Sequence, residues 1–212
     1  MRPLTSRTYL GVDVLDGPFD SAGLVLDTPA RRITVIGPGP GAPWVDAHEA
    51  VPRYRRTLRI WNQGPDDLAD LIGWLDARRG RALPFWLPSW DADLTLWEPA
   101  EPESGIITVY SPEDLGYHAL EFPAGPSRRH LLILAAGIDP IYCRVTAIED
   151  HSGGAAALAL DDSLAEGLPL GARISFLRWC RQDVDEARIL FHPTGVSECD
   201  LPIIEIPQEC PA

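Results

Sequence analysis

The side chains best suited to chemistry are not arranged in this sequence as chemistry requires. The histidines, His48, His118, His130, His151 and His192, form no H-x-x-x-H or H-E-x-x-H pair, and none lies within ligand spacing of a cysteine. A histidine metal site needs ligands that one helical turn or one hairpin can bring together. No G-x-S-x-G is present, so no nucleophile elbow is expected. Asp91 and Asp93 alternate in a way that would place both carboxylates on one strand face, where they could hold a cation or exchange protons. The reading preferred for them is that of solvated loop or strand-edge residues. The run Gly37–Pro43 is glycine-rich, yet its prolines remove the N–H groups that a phosphate loop uses, and no Gly-Lys-Ser/Thr follows. The sequence therefore predicts no catalyst.

The four cysteines, Cys143, Cys180, Cys199 and Cys210, contain no C-x-x-C. Four thiols can hold zinc or an iron–sulfur cluster, and three of these fall in the last third of the chain. Cys143, however, sits within an apolar alternation, where a cysteine acts as a small hydrophobe. Free thiols in a reducing compartment, with no resident metal or cofactor, is the expectation; a four-cysteine cluster is the alternative. The aromatic segment Phe85–Trp97 offers a second choice. Trp86, Trp90 and Trp97 could stack on sugars, or the segment could pack internally, where aromatics bury the most area. Packing is preferred, because prolines stiffen the segment and a helix precedes it.

Gly64–Gly80 is the best-punctuated element. Pro65 suits the first helical position, Asp66 and Asp67 suit the positive end of the helix dipole, and Arg78 and Arg79 suit the last turn. Leu68, Leu71, Ile72 and Leu75 recur at helical spacing, and Gly80 suits the positive φ that follows a cap. A helix over 65–79 follows. The strand before it, Tyr54–Trp61, alternates Leu58 and Ile60 against Arg55, Arg59 and Trp61. Other strands are expected within Tyr9–Pro18, where a turn closes the run, and at Leu24–Asp27, Arg32–Gly37, Ile106–Tyr110, Leu131–Ala135, Ile141–Ile148, Ala156–Leu160, Arg173–Trp179, Ala187–His192 and Leu201–Ile206. A hairpin turn is expected at Asp150–Gly154. The polar segment Glu98–Gly105 reads as a linker or an exposed loop. The expected fold is mainly β (α+β), with an N-terminal half at 1–97 carrying the helix and a C-terminal barrel or sandwich at 98–212.

Composition narrows the classes of partner. Proline (21) and glycine (18) are abundant, as many short strands and turns require. The formal net charge is −13, and every basic residue is arginine. That acidity argues against general adhesion to nucleic acid or anionic membrane. No apolar run is long enough for a membrane span and no signal-peptide core is evident, so assembly in the cytoplasm without membrane insertion is expected.

The strand Arg53–Trp61, the helix exit Ala77-Arg-Arg-Gly-Arg81 and the aromatic run Phe85–Asp93 together resemble hub-type proteins of long-tailed bacteriophages and gene transfer agents, especially distal tail proteins. Arg173–Asp185, Ala187–His192 and Pro202–Ile206 are similar to the endings of such proteins. The resemblance implies a β-sandwich or split-barrel hub domain with one packed helix. It also implies a virion tail location and a homo-oligomeric ring, hexameric as a distal ring or trimeric as a central hub. The ring would join the tail tube protein to the hub and tip proteins, and DNA would cross its lumen without specific binding. Arg78, Arg79, Arg81, Phe85, Trp86 and Trp90 become the expected interface residues. A neighbouring class of tail hubs carries a cysteine-bound iron–sulfur cluster, which is where the cysteine alternative would belong.

Overall fold

The computed structural model describes residues 7–15, 28–30, 33–36, 44–47, 53–110, 128–151, 154–206 and 209–211. The fold is mainly β, with one α-helix among the described residues, as the sequence predicts. The strand expected at Leu24–Asp27, the Gly37–Pro43 loop, His48 and His118 lie outside the described residues.

The chain forms two compact units that interleave along the sequence. One comprises residues 1–8, 15–85 and 180–207, the other 9–14, 86–179 and 208–212. A single boundary near residue 98 does not describe this division, because the last long strand returns to the first unit. The Glu98–Gly105 segment is not a linker either. Ala100 exchanges backbone hydrogen bonds with Leu168, and Glu103 N–H donates to Leu164 O at 2.7 Å, which makes the segment a paired loop of the second unit.

In the second unit, β2 (Val12–Val14) pairs in parallel with β7 (Phe85–Pro88) at Trp86. Beyond β7 the sheet runs through β12 (Arg173–Gln182), β9 (His130–Leu134), β10 (Ile141–His151), β11 (Ala155–Leu160) and β8 (Ile106–Tyr110). It then closes. The segment at Leu94–Leu96 bridges back to β12 at Ile174 and to β8 at Val109, so a small barrel results. Leu94, Leu96, Ile107, Val109, Leu131, Ile133, Val145, Leu158, Ile174 and Phe176 fill its core, as does Cys143. Cys143 thus sits where its apolar alternation predicts, and burial pushes its thiol up to about 12.

The first unit is built on two long antiparallel strands, β6 (Arg53–Gln63) and β14 (Val196–Glu205), paired from Arg55↔Ile204 to Gln63↔Val196. On β6, Leu58 and Ile60 are buried while Arg55 and Arg59 are exposed, as the alternation predicts. On β14, Cys199, Leu201 and Ile203 are buried on alternate residues. β3 (Thr28–Ala30) pairs with β6, and β13 (Arg188–Phe191) pairs with β14. β4 (Ile33–Ile36) and β5 (Trp44–Ala47) form a two-stranded sheet of their own.

The helix α1 (Pro65–Arg78) begins with Pro65 at its first turn. Asp67 reaches back to accept the Gln63 N–H at 3.0 Å, satisfying one donor at the helix entrance. Its buried residues are Leu71 and Trp74, and Trp74 packs edge-on against Phe85 at 5.2 Å between ring centroids. The inward stripe is therefore rotated from the one expected: Trp74 is inside, whereas Ile72 is 41% exposed. The bulky indole, with Phe85 as its partner, outcompetes Ile72 for the sheet-facing side.

Candidate functional site

The helix exit is the most tightly specified part of the motif that carried the family resemblance. Arg79 ends α1 in the left-handed conformation (φ 52°), with its N–H donating to Asp76 O at 3.2 Å. Gly80 follows at φ 61°. A Cβ there would come within 2.6 Å of Asp185 Oδ1 and 3.0 Å of Asp185 Cα, so both conformation and space demand glycine. Asp185 accepts the Arg81 N–H at 3.1 Å. It stands in the irregular stretch Asp183–Ala187 between β12 and β13, opposite β14. There Gln182 pairs with Ile203, Asp183 N–H still donates to Pro202 O at 2.8 Å, and strand pairing resumes at Arg188↔Asp200. Asp183, in the same stretch, forms an ion pair with Arg55 at 3.4 Å. The bulged chain thus pins both the helix exit and the adjacent strand.

The six expected interface residues divide sharply. Arg79 and Arg81 are exposed, and Arg78 is half-buried with a guanidinium hydrogen bond to Pro84 O at 3.1 Å. Phe85 and Trp86 are fully buried, which corrects their assignment to an interface. Trp86 donates its indole N–H to Tyr9 O at 3.0 Å and sits among Tyr9, His130 and Trp179. An indole enclosed in this way cannot be a sugar-stacking surface. Trp90 is half-buried with φ 64°, and Trp97 remains 43% exposed, edge-on to Tyr110 at 4.8 Å.

Asp93 is not a solvated carboxylate. It is buried, accepts the Phe176 N–H at 2.7 Å and bonds the Ser89 hydroxyl, while Ser175 Oγ donates to Asp91 O at 2.6 Å. These bonds tie the 89–93 turn to β12. They are long-range, so the local alternation could not reveal them.

His130 is the one histidine in a buried network among the described side chains. Its Nδ1 meets the Tyr9 hydroxyl at 3.0 Å and its Nε2 meets Pro211 O at 3.1 Å. A carbonyl accepts only, so Nε2 carries the proton and Nδ1 accepts from Tyr9. Burial lowers the imidazole pKa, opposed by the bond to Pro211. His192 stacks on Trp61 at 5.8 Å on an exposed surface. Neither arrangement supplies a nucleophile.

The four cysteines do not converge. Cys180 lies opposite Glu205 on β14, six residues along that strand from Cys199. At ~3.3 Å per residue that separation is roughly 20 Å, too far for shared ligation. Burial raises the Cys199 thiol to about 11. All four are free thiols, and no cluster of three potential metal ligands occurs among the described residues. The four-cysteine alternative is therefore corrected by strand register.

What the sequence reading missed is the edge. β13 pairs only with β14 among the described residues, and its Leu190 and Phe191 are 49% and 69% exposed. Exposed hydrophobics on an edge strand mark a surface that another chain can cover. The signal was present in Arg188-Ile-Leu-Phe191, an apolar run without alternation beside a Pro-Thr-Gly turn. No protein-family model matches the chain, and no curated protein matches it by sequence.

Proposed function

We propose that this chain is a structural subunit of a phage-type tail, forming a homo-oligomeric ring between the tail tube and the tail-tip proteins. The observation that carries the reading is the edge of β13, which pairs only with β14 among the described residues and leaves Leu190 and Phe191 exposed. Such an edge suits a ring subunit, because closed symmetry can cover it in every copy. The helix exit supports the same reading: Gly80 packs against Asp185, and Arg79 and Arg81 stand exposed as charged groups.

The chemistry of the surface suits a conduit. A net charge of −13 disfavours phosphate adhesion, so DNA passing through a lumen would meet little that binds it. No described helix is long and apolar enough to cross a membrane. We assign the chain no catalytic role and no cofactor, and we place it in the virion tail, with assembly before release from the host. The direct test is electron microscopy of tail particles that carry the tagged chain. A ring of discrete copies at the end of the tube is expected; a tail tip without the chain overturns the reading.

A further inference from the structure

The open edge has a backbone polarity that defines what can occupy it. His192 N–H donates to Val196 O at 2.8 Å, which makes 192/196 an inward-facing pair. In an antiparallel ladder such pairs alternate, so 190/198 and 188/200 also turn inward. The N–H and C=O groups of Ile189 and Phe191 are left pointing to the open side. The occupant that satisfies them is an extended strand.

The same unit holds a strand pair with the opposite need. β4 and β5 pair only with each other among the described residues. A two-stranded hairpin alone is marginal in water and gains stability from a third strand. This one is strongly apolar: Ile33, Val35, Val45 and Ala47 fall at one register parity, Ile36 and Trp44 at the other. Each of its strands has four residues, the length of β13.

We propose that the β4–β5 hairpin of one copy adds to the β13 edge of the next. This rests on the ring reading and specifies its contact. Such an interface is head-to-tail, since each copy offers one hairpin and one edge, and it closes into a ring when the rotation between copies closes. Main-chain bonds from Ile189 and Phe191 would supply the affinity, and Leu190 and Phe191 would lose their exposure.

The test compares the full chain with Phe191→Pro and Phe191→Ala. The proline removes an N–H that no ladder pair among the described residues uses, a position where an edge strand tolerates it, so circular dichroism should match wild type. Assembly is followed by mass photometry over a concentration series and in reconstituted tail particles, with amide exchange on the wild-type ring and dilute chain. The expected result is slowed exchange on assembly at 33–36, 44–47 and 188–192. The assembly midpoint should rise at least about tenfold for Phe191→Pro, roughly the loss of one net hydrogen bond, and less for Phe191→Ala. Rings with protection elsewhere, or an unchanged midpoint for a folded Phe191→Pro, overturn the hairpin contact and leave the ring reading standing. Wild type that forms no ring in either setting overturns both.

Discussion

The two units handle the edges of their sheets in opposite ways. In the second unit, bridges at Leu94 and Leu96 close the sheet into a barrel, and its core strands are covered without outside help. In the first unit, β13 pairs only with β14 among the described residues, and Leu190 and Phe191 are exposed. Barrel closure removes edges, whereas an open sheet keeps a template for pairing. Among the described residues, the barrel strands close on themselves, whereas β13 keeps one side without a partner strand.

Substitutions can break that contrast, and the largest effect is expected in the closed unit. Trp86→Ala removes a fully buried indole and its hydrogen bond to Tyr9. It should cost about 3–5 kcal/mol in urea unfolding. A loss below about 1 kcal/mol would show that the aromatic cluster is not a packed core.

At the helix exit the effect should be intermediate. Gly80→Ala forces a side chain into a left-handed residue and against Asp185. It should destabilise by about 1–3 kcal/mol in the same assay. Neutrality would mean that the bulged stretch moves freely, and the clamp would have to be abandoned.

Acid titration sharpens the comparison further. The folded-state pKa of His130 lies below its ordinary value, so the unfolded chain takes up the proton first. The stability this contributes is complete above about pH 6.5 and is lost as pH falls toward the folded pKa. In His130→Gln the acid slope of the urea midpoint should be shallower than in wild type. Parallel slopes would remove His130 from the acid response. The smallest effect is expected at the open edge: Phe191→Ala should alter monomer stability by no more than about 0.5 kcal/mol. A large loss would place Phe191 in a core and leave the open unit without its exposed edge.

Much of this architecture is legible locally. Pro65, the first-turn aspartates and Gly80 delimit α1 because helix ends have few chemical solutions. The alternation in β6 and the apolar run of β9 likewise mark strands before any partner is known. Pairing is harder to read. Arg59 and Asp200 form an ion pair across 141 residues of sequence, and only that return of β14 reveals that the first unit is discontinuous. The burial of Asp93 and the separation of Cys180 from Cys199 depend on register in the same way. Phe85 and Trp86 show a further limit. Clustered aromatics suit an interface and a core equally, and only the surrounding Tyr9, Trp74 and Trp179 decide between them.

The central claim is that the open unit exists to be covered by copies of the same chain. The most direct measurement is the mass distribution of the purified full-length chain at high concentration, together with electron microscopy of tail particles containing it. The account predicts a closed ring with one discrete copy number in the particles, and self-association of the free chain as concentration rises. A strict monomer at every concentration, with no ring at the end of the tail tube, would contradict it.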